Sequence, residues 1–285
     1  MSSVGGRRER PGRGAAVVAL QGRARGRASR AVAPGACRGL GLDLRQGRYR
    51  LRFATTEEDR DQVFRLRFEV FNLELGEGLA GSFRTCRDRD RFDEHCQHLL
   101  VEDVCTARVV GTYRMQLPEV ARQAAGLYVE TEFDLSGIPS RVLERSVELG
   151  RACIAKEHRN RKVLFLLWRG LSAYVDRHDR RFLFGCSSLT TQDPREGLGL
   201  ARDLEARGHR HPELVVLPRA GFECVSDASA EDLPSVPVPP LFGTYLRFGA
   251  KVLGPPALDR EFGTIDFLTL LDVDAMDPAD RGLFT

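Results

Sequence analysis

Hydrophobic positions follow no period through the first forty-eight residues, and from Tyr49 onward they do. YRLRFAT (49–55) alternates apolar and polar positions as a half-buried strand does. Thr56, followed by Glu57, Glu58 and Asp59, then reads as a helix start with acids in its first turn. Val63, Leu66, Val70 and Leu73 continue at helical spacing, which predicts an amphipathic helix over 57–72. The charged stretch ending in RDRDRFDEH (87–95) is too polar for a core, and HLLVED (98–103) and ARVVGTYRMQL (107–117) predict two strands of a hairpin.

Residues 118–145 are irregular and lead into SVELGRACI (146–154), a strand pattern interrupted by charge. A basic turn, KEHRNRK (156–162), precedes VLFLLWRGLSAYVDRH (163–178), a helix apolar around most of its circumference and therefore packed on a sheet. RRFLFGCSSL (180–189) predicts a further buried strand, and Asp193 begins a polar helix through Glu205. Residues 209–240 are proline-rich and irregular, and 239–273 hold an amphipathic helix, a Gly-Pro-Pro break and a last strand. Strands and helices alternate around a hairpin, so the expected class is α/β (α+β) with a mixed sheet of six or seven strands. There is no internal repeat and no G-x-G-x-x-G.

Charge divides the chain. Residues 1–50 contain twelve Arg, no Lys and two acids, Glu9 and Asp43, a local charge of +10 against +3 overall, which leaves −7 for the rest. Rich in Gly, Ala and Arg and nearly free of aromatics, residues 1–48 cannot bury enough apolar surface to offset the entropy of ordering, and are expected to be a disordered tail before a single domain over 49–285. Such a tail has the charge for peripheral contact with an anionic membrane surface; nothing in it is patterned, and nucleic acid is not an expected partner. AAVVAL (15–20) is too short for a signal-peptide core, and no segment approaches the ~20 apolar residues of a membrane span, so a cytoplasmic protein is expected. Seven cysteines without a C-x-x-C pair fit a reducing compartment. His95, Cys96 and His98 are close in sequence, but His95 and Cys96 point to opposite faces of an extended segment, and no metal is expected there.

The chemistry concentrates around SVELGRACI. Glu148 and Arg151 interrupt a buried strand, and neither charge is buried cheaply without a partner. Regular alternation sends Glu148 to the face opposite Leu149 and Arg151, with Arg151 anchoring Asp90 or Asp93; a bulge at Gly150 would bring both charges to one face. Arg114 interrupts VVGTYRM in the same way, so Asp90, Asp93, Glu148, Arg114 and Arg151 together can supply a closed network. The basic turn places Arg159, Arg161 and Lys162 at a helix N-terminus, whose free N–H groups suit a phosphate; an ordinary solvated loop has the same composition.

In order, LRFEVF, DRDRFD, VVGTYRM, YVETEFDLS, VELGRACI, LLWRGLSAYV, LFGCSSL and GAKVLGPPALDREFGTIDFLTLL resemble the GNAT-type N-acyltransferases of the ornithine-lipid branch, also called hemolysin-like. The resemblance covers roughly residues 50–276. That branch is similar to the acyl-homoserine lactone synthases, which share the positions occupied here by Arg67, Phe71, Asp90, Asp93, Arg114, Glu148 and Arg151. The resemblance implies a GNAT-like, mostly antiparallel central sheet flanked by helices. It also implies transfer of a fatty acyl group, often 3-hydroxylated, from an acyl carrier protein thioester to the α-amine of an amino acid, ornithine foremost, with no bound cofactor or metal. Acetyl-CoA users carry a glycine-rich turn after the same strand; HRNRK here has no glycine, which suits a carrier protein.

Elementary chemistry agrees. An amine attacking a thioester must lose a proton, and Glu148, raised by burial and lowered by Arg151, is the expected general base. Backbone N–H groups where this strand leaves its neighbour are the expected oxyanion donors. Arg159, Arg161 and Lys162 are expected to steer an acidic carrier protein and hold the pantetheine phosphate. Leu167 and Trp168 fit an acyl channel, and fit a plain core better. Ser187 and Ser188 fit a leaving-thiolate role less well than turn hydrogen bonds. Two other readings stay open: a signal synthase of the homoserine lactone type, and a non-catalytic membrane-associated module.

Overall fold

A computed structural model describes residues 41–282. In chain order its strands are β1 (Asp43–Gln46), β2 (Tyr49–Phe53), β3 (Gln97–Asp103), β4 (Arg108–Gln116), β5 (Phe133–Asp134), β6 (Ser146–Ile154), β7 (Phe182–Leu189), β8 (Leu217–Pro218), β9 (Lys251–Val252), β10 (Ala257–Asp259) and β11 (Thr264–Asp272). The helices are α1 (Glu57–Arg67), α2 (Pro118–Ala121), α3 (Ser140–Leu143), α4 (Arg161–Arg177), α5 (Pro194–Ala206), α6 (Pro240–Arg247) and α7 (Pro278–Arg281).

Local signals set the first elements. The Thr56 hydroxyl accepts the Asp59 N–H while the Asp59 carboxylate accepts the Thr56 N–H, a capping box that starts α1. After Arg67 the helix widens into a π-helical segment, Phe68–Leu75, closed by Gly76 at φ 69°. Each π-turn takes in an extra residue, so the helical period is lost: Phe71 and Asn72 turn inward, and Leu73, expected on the buried stripe, is 61% exposed.

The main sheet has nine strands in the order β1-β2-β3-β4-β6-β7-β11-β10, with β9 also on β11; β5 and β8 form a separate two-stranded pair. It is larger than the expected six or seven strands, because β9 and β10 are too short to show a period, and β1 lies in the segment expected to be a tail. Asp43–Gln46 carries almost no apolar side chain, but its backbone completes an antiparallel edge on β2. The rest of that expected tail, residues 1–40, lies outside the described residues.

Helices cover both faces. On one, Val163, Leu166, Leu167 and Trp168 of α4 pack on Leu51, Leu99, Val101 and Val147. On the other, Val63, Phe64 and Leu66 of α1 pack on Leu100, Val109 and Cys153. At Gly170 a β-carbon would lie 2.4 Å from Leu99 Cδ2, so the glycine lets α4 sit directly on the sheet. Every junction in the main sheet is antiparallel except β6–β7, which is parallel and pairs over only three positions, Ser146↔Phe182, Val147↔Leu183 and Glu148↔Phe184. Beyond them the two strands separate. No helix among the described residues is long and apolar enough to cross a membrane.

Candidate active site

β6 carries the site, and its geometry rests on one irregularity. Arg114 pairs with Gly150 and Thr112 with Cys153, so Arg151 and Ala152 together oppose the single residue Tyr113. Arg151 takes up the extra residue at φ 48°, the left-handed region, which costs a non-glycine residue about 1–2 kcal/mol. The bulge lies one residue beyond the expected Gly150. It leaves Val147, Leu149, Ala152 and Ile154 facing α4, and turns Arg151 toward the face of Glu148 and Cys153.

On that face three arginines and three aspartates close a buried ring. Arg67 donates to Asp88 at 2.7 Å and to Asp93 at 2.8 and 3.2 Å. Arg114 holds Asp90 at 2.6 and 2.7 Å and Asp93 at 3.2 Å. Arg151 reaches Asp90 at 3.1 Å and lies 3.4 Å from Asp88. Burial pushes the Asp93 carboxyl up, but Arg67 and Arg114 outweigh it and hold it well below the usual carboxylate range. His98, packed edge-on to Phe64, is kept neutral by burial, its pKa lowered to about 4.

Glu148 is 5% exposed, and its Oε1 accepts the Val129 N–H at 2.8 Å. Burial raises its pKa to about 7, against the Val129 N–H and Arg114, which lower it. Its strand neighbours Leu149 and Gly150 line a cleft of about 770 Å³ that opens where β6 and β7 part. Toward α4 the cleft is apolar, walled by Leu164, Leu167, Trp168, Leu171, Tyr245 and Phe248. Leu167 and Trp168 are thus core residues and cleft wall at once. Toward α1 the cleft is polar, walled by Glu77, Tyr128, Arg151, Ser188, Thr190 and Asp266. Phe71 stands beside that end, edge-on to Phe262, and the Arg151 guanidinium lies over the rings of Phe262 and Tyr128. Ser187 and Ser188 are on β7 and not in a turn; Ser187 bonds Thr269 across the sheet at 3.1 Å.

The polar end holds carboxylates that sequence reasoning passed over. Glu77 is buried, bonded to Thr190 at 2.9 Å, and raised by burial to about 7. Asp266 is raised by burial to about 6, and Glu132 beside it, buried and next to Asp266, is well above its ordinary value. Glu132, Cys186 and Asp266 bring a carboxylate oxygen, a thiol sulfur and a second carboxylate oxygen within 4.8 Å of one another. A signal for Asp266 does exist in the sequence: TIDFLTLLD puts one acid into an otherwise apolar strand, as VVGTYRM does an arginine.

The basic turn is more occupied than expected. Asn160 caps α4, its Oδ1 accepting the Lys162 and Val163 N–H groups at 3.0 and 3.2 Å, so these are not free for a phosphate. Arg159 is no mobile charge either: it grips Glu74 with two bonds of 2.7 and 2.8 Å. Arg159 and Arg161 line the cleft mouth, and Lys162 faces an adjoining depression formed with Gln46, Arg48, Tyr49 and Arg161.

Comparison with known proteins gives concordant results. The Acetyltransferase (GNAT) domain family matches residues 66–169. The L-ornithine N(alpha)-acyltransferase of Brucella abortus (strain 2308) is 33% identical over 251 residues, which is 81% of this chain and 86% of that protein. The enzyme of the same name from Agrobacterium fabrum (strain C58) is 33% identical over 251 residues, 83% of this chain and 85% of its own. Among solved structures, the CoA-dependent acyl-homoserine lactone synthase BjaI, with SAM and isopentyl-CoA, aligns at a TM-score of 0.42 and 15% identity, covering 80% of this chain and 81% of that one.

Proposed function

This chain belongs to the L-ornithine N(alpha)-acyltransferase family, and we propose that it moves a fatty acyl group from a thioester donor to the α-amine of an amino acid, ornithine first among acceptors. The observation that carries this reading is the cleft through the sheet, apolar toward α4 and polar toward α1, whose two ends meet at the unpaired edge of β6. An acyl chain belongs in the first end and an amino acid in the second.

The amine nitrogen attacks the thioester carbonyl carbon; the C–N bond forms, negative charge gathers on the oxygen, and backbone N–H groups of the unpaired part of β6 are its donors. The C–S bond then breaks and the thiolate leaves. The proton lost by the nitrogen passes to Glu148 and finally to the thiolate, and a carboxylate poised near neutral pH suits this exchange. The ring of Arg67, Arg114, Arg151, Asp88, Asp90 and Asp93 holds the bulge and, with Phe71, shapes the polar wall. An acyl carrier protein is the donor we favour: Arg161 and Lys162, with Arg159 behind them, give the mouth the charge to meet an acidic partner and the pantetheine phosphate.

Purified protein mixed with 3-hydroxyacyl carrier protein and ornithine, glycine or lysine is expected to release free thiol and an acyl amide identifiable by mass. Folded protein that yields no amide with any amino acid, from carrier protein or coenzyme A thioesters, overturns the proposal.

A further inference from the structure

Asp266, on β11, lines the cleft and is 2% exposed, and its Oδ1 accepts no hydrogen bond among the described residues. Glu132, 1% exposed, lies behind it with Oε1 in the same condition. Asp259 is held close by the Tyr128 hydroxyl, which donates to it at 3.1 Å, and Glu77 borders the same end of the cleft. Four acids thus surround one small volume. The cation nearest them, Arg151, is committed to Asp88 and Asp90 and faces aromatic rings. Carboxylate oxygens buried without donors are costly, and an ammonium group, with three N–H donors and a positive charge, relieves both the missing bonds and the excess charge.

We propose that this acidic end of the cleft, with Asp266 at its surface and Glu132, Asp259 and Glu77 around it, binds the side-chain ammonium of a diamino acid and thereby selects ornithine-like acceptors over neutral ones. The proposal rests on the reading that the acceptor enters the polar end of the cleft. It assigns the two nitrogens different fates: the side-chain ammonium stays charged among the carboxylates, and the α-amine is left at the unpaired edge of β6 to react. Glycine has no second ammonium, and leaves the orphan oxygens as they are.

The test is calorimetric titration of the full chain with L-ornithine and with L-norvaline, which keeps the carbon chain and lacks the terminal amine. Ornithine is expected to bind about 30-fold tighter or more, as for a buried charge pair against its uncharged isostere. Asp266→Asn is expected to bring ornithine down to the norvaline level with an unchanged melting temperature, and Glu77→Gln is expected to weaken it less. Equal affinity for the two amino acids, no detectable ornithine binding, or a stoichiometric metal ion retained by the protein and lost in Asp266→Asn overturns the proposal. Binding is read without turnover, so the two readings fail separately: acylation of ornithine and norvaline at equal kcat/KM removes the selectivity and keeps the transferase, whereas selective binding without acyl transfer does the reverse.

Discussion

Glu148 and Arg151 project from one face of one strand, three residues apart, and do not pair with each other. The bulge at Arg151 and Ala152 brings them to the same side, and each is then claimed by different partners: Arg151 by Asp88 and Asp90, Glu148 by the Val129 N–H. The strand therefore offers a guanidinium neutralised within a ring and a carboxylate that burial keeps near neutrality. A direct ion pair would have held Glu148 low and spoiled it as a base.

The first consequence is a conflict between activity and stability at Glu148. Its carboxyl titrates at about 7 in the folded chain against an ordinary 4.5, so the unfolded chain ionises first as pH rises. This group thus costs nothing below 4.5, costs progressively more between 4.5 and 7, and above 7 subtracts about 3 kcal/mol. Glu148→Gln is expected to raise the melting temperature at pH 8 with little change at pH 4.5. In the same variant kcat falls about 10²-fold or more, and the limb of the pH–rate profile that rises through about 7 disappears. A variant that keeps the limb assigns it to another group, with Glu77 the first to examine.

Asp93→Asn tests the ring. The substitution keeps shape and removes the charge that faces both Arg67 and Arg114, leaving an uncompensated buried cation. A loss of about 3–5 kcal/mol in urea unfolding is expected. A loss below about 1 kcal/mol would mean that the ring does not hold the fold.

Gly185 stands where the strands part, and a β-carbon there would lie 2.2 Å from the Leu149 carbonyl oxygen. Gly185→Ala has to push β7 away from β6 and is expected to cost about 1–3 kcal/mol in thermal or urea unfolding, with kcat lowered more than KM is raised. Unchanged stability and turnover would show that the junction yields without consequence.

At the mouth, Arg161→Glu combined with Lys162→Glu is expected to lower kcat/KM for an acyl carrier protein donor about 10-fold at low salt and progressively less as salt rises, because rim charges act on encounter. The same donor chain on coenzyme A should be affected less. Equal losses on both donors at every salt concentration speak against carrier-protein docking at this rim.

Much of the scaffold was legible because its elements are long enough to show a period. β2, the β3–β4 hairpin, β6, α4 and β7 all fall where alternation or helical spacing puts them. β1 was missed because an edge strand needs only backbone, and β9 and β10 because two or three residues have no period. Leu73 misled because a π-helical turn shifts phase without any mark in local composition. Within the site, a charge interrupting an apolar strand pointed to Arg114, Glu148 and Arg151, all buried in the structure. Glu77, Glu132 and Asp259 lie in irregular or very short segments, where an acid is ordinary until long-range packing buries it.

The three-position contact between β6 and β7 also has a mechanical meaning. It alone joins, by backbone bonding, the five strands on one side of the main sheet to the four on the other, so the sheet behaves as two plates with a short seam. A substrate lying along the open edge of β6 occupies the line the seam leaves unfinished. Amide hydrogen exchange over 149–154 and 185–189 is therefore the place to see the plates lock: protection gained there on donor binding reports a sheet completed by its own substrate.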